Sequence, residues 1–315
     1  MAFKIYSEYD AIKTDVLMAV IYGIPGIGKT SLSFTSHSPV LLDFDRGAQR
    51  SIGQKTVIRI DRWEDMIDLQ KSPEFVKLSP KTLVLDTGGT MLDNYIAEYV
   101  KRADPKNARR GGELTLQGYG AMKNIFKQFK DWASSIQCNI IFICHSKDEN
   151  ENDNVKKIPM VTGGSLDILR QGADLIGYMS ANQNKRIIDF RASIDSHEGK
   201  DCAGIGVVEI PDYKTPEYAN FFSGIIDRTL SRMNEINEKQ KEAISKVSEY
   251  KDKISKVKNP AGANKIIADL SGEEKHIQVQ CFLYLKEAVK SFALYDSQNK
   301  KFVKNEVVQS QSDPS

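Results

Sequence analysis

Gly23-Ile24-Pro25-Gly26-Ile27-Gly28-Lys29-Thr30, followed by Ser31, is the stretch that decides the fold of this chain. An apolar run from Val16 to Tyr22 leads into it, and Ser31-Leu32-Ser33-Phe34 leads out as a helix could. The spacing G-x-x-x-x-G-K-[ST] between a strand and a helix is that of a phosphate-cradling loop. Strand, glycine turn and helix start aim a row of backbone N–H groups, and the positive end of a helix dipole, at one point. Gly23 and Gly28 permit angles and close approaches that a Cβ would block. Lys29 is spaced to reach the β- and γ-phosphates of a nucleotide, and the Thr30 hydroxyl to sit on Mg²⁺. Residues Gly23 to Ser31 are therefore the expected nucleotide contacts, with ATP and Mg²⁺ as ligands. A plain glycine turn is the competing reading, and the apolar run before it argues against that.

Outward from this loop, strand-like and helix-like segments alternate. Pro39–Asp45 reads as a short buried strand stopping at Arg46-Gly47, and Val57–Ile60 as another. Trp63 to Leu69 has helical apolar spacing after Asp61, a possible N-cap. Thr82-Leu83-Val84-Leu85-Asp86 is an apolar strand ending in a carboxylate, and Met91 to Val100 is helical. Tyr119 to Ile136 is an amphipathic helix with Met122, Ile125, Phe126, Phe129, Trp132 and Ala133 on one side. Asn139 to Cys144 is the most strand-like run, ending at His145 before a polar, acidic loop. Continuous apolar strands alternating with helices imply an α/β fold with a largely parallel sheet covered on both faces. Such sheets bind ligands at the carboxyl ends of their strands, where Thr30, Asp45, Asp86 and His145 all fall. Asp86 fits the carboxylate that holds Mg²⁺ with Thr30. Asp45 either faces the nucleotide or only caps its turn.

Composition limits the partners. With 315 residues and 40% hydrophobic content the chain can bury one α/β core and carry an appendage. A net charge of +2 confines any nucleic-acid binding to local patches. The clearest patch is Lys101, Arg102, Lys106, Arg109 and Arg110, in a loop flanked by Tyr95, Tyr99 and Tyr119. Cys138, Cys144, Cys202 and Cys281 form no C-x-x-C pair and have no metal-ligand spacing with the four histidines. No run is long enough to cross a bilayer and no apolar signal is seen near Met1, so a cytoplasmic protein without membrane contact is expected. Further segments at Ala173–Tyr178, Arg186–Phe190 and Gly206–Ile210 read as strands. Beyond Pro211 the composition changes. Met233, Ile236, Gln240, Ala243, Val247, Tyr250, Ile254 and Val257 form a heptad seam, broken at Asn259-Pro260-Ala261-Gly262. A second helix spans Gly272 to Leu294. The expected organisation is an ATP-binding core over 1–222, a helical appendage over 223–300 and a disordered tail over 301–315.

These motifs, from about Val16 to Ile210, resemble in order those of RecA-like P-loop ATPases. They are most similar to the phage-encoded members that act in single-strand annealing, which have a compact core and commonly His at the sensor position. The resemblance implies that Asp45 polarises the attacking water, although the family usually has Glu there. It implies that His145 senses the γ-phosphate. It also makes Pro159-Met160-Val161-Thr162-Gly163-Gly164-Ser165-Leu166 similar to the end of the second DNA-binding loop in RecA, with Lys101–Gly112 as the first. Lys200 resembles a lysine that enters a neighbouring subunit's ATP site. Arg186 and Arg191 compete for that role, and a solvated loop lysine is the plain alternative. The expected function is a DNA-stimulated ATPase working as a homo-oligomeric ring or filament on single-stranded DNA, in recombination or annealing. A single-strand-binding protein is a further partner to consider, and the compartment would be the host cytoplasm for a phage protein. Another P-loop motor, of helicase or packaging type, and a nucleotide-gated binding module with little hydrolysis are the alternatives.

Overall fold

The computed structural model describes residues 13–151, 154–182, 185–193 and 196–305. It divides into a unit of Thr14–Met233 and a second that takes the chain from Asn234 onward.

In the first unit six parallel strands lie in the order β3 (Thr56–Arg59), β2 (Pro39–Asp43), β4 (Thr82–Asp86), β5 (Asn139–Glu151), β1 (Met18–Gly23) and β7 (Leu175–Asn182). Antiparallel β8 (Lys185–Asp189) and β10 (Val207–Ile210) extend the β7 edge, and β9 (Lys200–Asp201) pairs with the start of β7. This is the largely parallel, helix-flanked sheet that the apolar runs imply. Successive side chains point to opposite faces, so Met18, Val20 and Tyr22 enter one core while Ala19 and Ile21 enter the other. The first core includes α2 (Trp63–Leu69), α3 (Pro73–Leu78) and the long α6 (Leu116–Ser135). Helix α6 is capped by the Thr115 hydroxyl, which accepts from Gly118 N at 3.2 Å, and it buries Met122, Phe126, Phe129 and Ala133. The second core includes α1 (Lys29–Ser33) and the first turns of α8 (Phe221–Ser255).

Register is pinned at the lower rim. The buried Asn139 side chain accepts from Leu17 N at 3.0 Å and donates to Lys81 O at 3.1 Å, tying β5 to the approaches of β1 and β4. Asp174 accepts from Met18 N at 2.8 Å. A one-residue slip would turn every apolar side chain to the wrong face. With this register Gly23 pairs with His145 and Asp86 with Ile143, bringing three motif ends to one level.

Strand β5 runs past the expected end. Instead of entering a loop after His145, Ser146–Glu151 forms a hairpin with β6 (Asn154–Pro159). Opposite charges face each other there: Asp148 pairs with Lys157, with their side chains in an ion pair, and Glu149 sits across from Lys156. Such cross-strand pairs stabilise a polar strand that hydrophobic patterning misses. Three short helical pieces follow β4: α4 (Gly88–Thr90), a π-helical turn (Met91–Ile96) and α5 (Ala97–Ala103). Helix α7 (Gly163–Gly172) follows β6.

In the second unit the seam closes on its own core from Ala243 onward: Val247, Tyr250 and Ile254 are buried, whereas Ile236 is 45% exposed. Asn259-Pro260 is a helix start rather than only a break. Asn259 accepts from Gly262 N at 2.9 Å and Pro260 opens α9 (Pro260–Leu270). The helix expected over Gly272–Leu294 is shorter, α10 (Lys275–Val289), and is followed by a hairpin of β11 (Ala293–Asp296) and β12 (Lys301–Lys304). The expected tail thus begins with a strand, and Phe302 in it is buried against Phe282 and Tyr295. Asn264 of α9 pins that strand through two hydrogen bonds to the backbone of Phe302. Residues 306–315 lie outside the described residues. Among the described residues no helix is long and apolar enough to cross a membrane.

Phe302→Ala is expected to cost about 3–5 kcal/mol of the second unit's stability, read as loss of hydrogen-exchange protection across α9 and α10. Unchanged protection there would show that the hairpin is dispensable to this core.

Candidate nucleotide site

The loop between β1 and α1 needs its glycines for two different reasons. Gly28 has φ +98° and Gly26 φ +79°, in the left-handed region where side chains are strained. Gly23 is required by packing: a Cβ there would lie 2.6 Å from Met179 O on β7. Helix α1 lasts only five residues. The Ser33, Thr35 and Ser36 hydroxyls bond back to the carbonyls of Lys29, Leu32 and Ser33, drawing those carbonyls from a longer helix. Anion attraction here therefore rests on the loop's backbone N–H groups more than on a helix dipole.

Lys29 is buried, and its ammonium donates to Gly23 O and Ile24 O, both at 2.9 Å. Burial lowers its pKa, opposed by the nearby Asp86 and Asp45 carboxylates. Thr30 Oγ1 donates to Asp86 Oδ2 at 2.6 Å. The Asp86 carboxyl is pushed up to about 6, first by burial and then by the Asp45 and Asp43 carboxylates, while the Thr30 hydrogen bond and Lys29 oppose the shift.

The two carboxylates after β2 divide their work. Asp43 is buried and accepts from the N–H of Gly47 at 3.1 Å and of Ala48 at 3.5 Å, so it holds the turn. Asp45 is exposed and faces the cavity over the loop. His145 reaches the same cavity because β5 lies between the strands that lead to Lys29 and Asp86. Its Nδ1 is buried and has no hydrogen-bond partner among the described residues. Burial holds its pKa below the usual imidazole range, helped by the Lys29 cation and opposed by Asp45.

The cavity measures about 530 Å³. Thr30, Lys29, Asp45, Asp86 and His145 line it together with Gly26, Gly28 and Ser31. Arg186 lines it too, with Nη1 3.5 Å from Ile27 O. The resemblance offers Arg186 only for a neighbour's site, and nothing in its strand signals that it turns to its own chain's loop. Arg50, Tyr213 and Tyr218 also line the cavity and carry no motif. Lys200 lies elsewhere. It pairs with Ile176 near the start of β7, whereas Gly23 pairs with Met179 toward the other end, and its ammonium donates to Arg170 O at 3.0 Å.

The basic loop is largely neutralised. Lys101 pairs with Glu98 at 2.8 Å, Arg102 with Glu64 at 3.0 Å and Arg109 with Glu113 at 3.8 Å. Lys106 and Arg110 make no ion pair among the described residues. The flanking tyrosines are core residues. Tyr95 donates to Phe44 O at 3.0 Å, and Tyr99 and Tyr119 pack against the first core. The Tyr119 ring also lies where a Cβ on Gly164 would stand, so the start of α6 and Gly164 are neighbours.

Segment 159–165 is fastened to the site from two sides. Met160 N donates to His145 O at 2.7 Å. Asp93, in the π-helical turn after β4, accepts from Thr162 N at 2.8 Å, Thr162 Oγ1 at 2.9 Å and Ser165 Oγ at 2.5 Å.

A parallel sheet with this glycine loop at one strand end and an acidic strand end two places away defines a P-loop nucleotide-binding protein. The chain belongs to the family described as AAA domain, of P-loop ATPase type, whose model matches residues 16–202. No curated protein matches it.

Among the described residues no group of three His, Cys, Asp or Glu could hold a metal by itself. Thr30 and Asp86 nonetheless offer two hard oxygens 2.6 Å apart. That donor set suits Mg²⁺, which takes its remaining ligands from phosphates and water.

An acid whose pKa is raised on folding stabilises the fold when protonated. Asp86 rises from an unfolded value near about 4 to about 6. Its contribution is full below about pH 4 and lost as pH rises through about 6. Asp86→Asn, which still accepts from Thr30, is expected to stabilise the ligand-free protein at pH 7.5 by up to about 3 kcal/mol. Thermal unfolding at pH 7.5 and pH 4 checks this: the gain should disappear at the lower pH. An equal or lower melting temperature for the variant at pH 7.5 would contradict the assignment.

Proposed function

We propose that this chain is an ATPase that works as a multimer on single-stranded DNA, in recombination or strand annealing. The observation that carries the nucleotide part is the convergence of Lys29, the Thr30–Asp86 pair, Asp45 and His145 on one cavity. Lys29 is a desolvated cation whose hydrogen-bond partners are carbonyls, so a phosphate anion compensates its burial. Thr30 and Asp86 would hold Mg²⁺, which neutralises phosphate charge when bound. Asp45 orients the attacking water and takes its proton, and Arg186 supplies a second cation for the phosphates from the same chain. Lys200, whose ammonium donates to Arg170 O, is left either to the neighbouring subunit's site or to a plain structural role.

The DNA part rests on placement. The hydrogen bonds from Met160 to His145 and from Thr162 to Asp93 give the nucleotide site a route to segment 159–165. That segment packs against Tyr119 in the first turns of α6, the helix that follows the basic loop, whose Lys106 and Arg110 make no ion pair among the described residues and would meet phosphates. A second reading, a nucleotide-gated binding module with little turnover, is favoured by Asp45. Its carboxylate is exposed, accepts no hydrogen bond among the described residues and is a methylene shorter than the usual Glu.

Lys29→Ala is expected to abolish ATP binding while circular dichroism stays unchanged; unaltered ATP affinity refutes the nucleotide assignment. Turnover of the unmodified protein should rise when single-stranded DNA is added. Turnover that ignores DNA, together with DNA binding that ignores nucleotide, removes the DNA assignment and leaves a P-loop ATPase with another partner.

A further inference from the structure

The matched AAA region ends at residue 202, yet one wall of the cavity comes from chain beyond it. Pro211-Asp212-Tyr213-Lys214-Thr215-Pro216 is a turn between two prolines that connects β10 to a short 3₁₀ helix, Pro216–Tyr218. It is held in one shape. The Asp212 carboxylate accepts from Lys214 N at 2.9 Å, and Asp212 O accepts from Thr215 N and Thr215 Oγ1, both at 2.9 Å. Tyr218 N closes the helix on Thr215 O at 3.2 Å.

Two side chains of this wall line the cavity, Tyr213, whose ring carries the Lys214 ammonium 5.5 Å from its centroid, and Tyr218. Tyr213 is 46% exposed, and with Ile52 at 53% it is one of the large hydrophobic side chains left open in the cavity lining. Ile52 is set by its N–H bonding to the Ser31 hydroxyl at 2.9 Å, directly after the phosphate loop. Tyr218 is only 7% exposed, and its hydroxyl has no hydrogen-bond partner among the described residues. Burial raises its pKa, partly offset by Arg186, so it remains a neutral O–H. A buried hydroxyl left unpaired is costly, and in native proteins it calls for a ligand or water.

We propose that Asp212–Tyr218 builds the nucleoside half of the site. The Tyr213 ring stacks on the base with Ile52 as a second apolar surface, and the Tyr218 hydroxyl hydrogen-bonds to the base or ribose. The inference rests on the nucleotide reading above and assigns the part of the ligand that the glycine loop cannot recognise. Phosphates are held by the loop inside the matched region, whereas the base is chosen by chain beyond it. Stacking on an exposed ring tolerates any base, so the Tyr218 hydroxyl carries what base or sugar preference the site has.

Binding of ADP and of inorganic tripolyphosphate, measured by calorimetry on the full chain, separates the two halves. Tyr213→Ala should weaken ADP about tenfold or more and leave tripolyphosphate unchanged. Tyr218→Phe keeps the packing and should weaken ADP about five- to tenfold, again without affecting tripolyphosphate. Lys29→Ala should lose both ligands. Retention of both by Lys29→Ala would be the failure of the nucleotide reading itself. ADP affinity untouched by either tyrosine variant, or an equal loss of tripolyphosphate, would overturn the nucleoside assignment while leaving the phosphate site standing.

Discussion

The hydrogen-bonded register of β4, β5 and β1 fixes where the phosphate loop, Asp86 and His145 lie. Because Gly23 is opposite His145 and Asp86 opposite Ile143, the phosphate loop, the acidic strand end and the imidazole emerge at one rim. Asn139 and Asp174 secure that register at the other end, by bonding to backbone N–H groups of the β1 approach. A parallel sheet buried on both faces cannot shift by one residue without exposing half its core. The site's geometry is thus inherited from packing far from the chemistry.

What the register brings together is electrostatically strained without a ligand. Burial lowers the Lys29 pKa, burial and two other carboxylates push the Asp86 carboxyl up to about 6, and burial with the neighbouring lysine lowers the His145 imidazole. Each shift runs against the charged form, as expected where water has been removed before the ligand arrives. Phosphate and a divalent cation would reverse these terms together, so binding is coupled to ionisation. The Asp43 carboxylate contributes to this field while acting structurally, by holding the turn that leaves Asp45 facing the cavity.

The same strands continue into elements that have no part in phosphate contact. Strand β5 passes through His145 into a hairpin, and Lys147 of that hairpin donates to Val161 O at 2.6 Å. The β6 side is anchored by Tyr22, whose hydroxyl bonds to Lys157 O at 3.0 Å and Glu198 O at 2.6 Å just before the glycine loop begins. Half-buried Glu198 in turn joins Lys156 of the hairpin to Arg170 of α7. Residues on either side of the phosphate loop are therefore tied mechanically to segment 159–165.

The sequence alone determined the glycine loop, the apolar strands and the long α6, because each is written in local terms: fixed spacing, periodicity and capping. It also placed Asp86 at a strand end and Asp45 just past one, since a carboxylate closing an apolar run is visible without a fold, whereas His145, expected at such an end, lies inside β5. Only the tertiary structure decided that β5 lies between β1 and β4, that Asp43 rather than Asp45 holds the turn, and that Arg186, Tyr213 and Tyr218 join the cavity. Those side chains come from segments more than a hundred residues from the glycine loop, and no local pattern encodes which distant strand will lie beside which. The hairpin after His145 and the strand at Lys301–Lys304 were hidden for a related reason. Their stability comes from cross-strand charge pairs and from Asn264, contacts that exist only once the chain has folded.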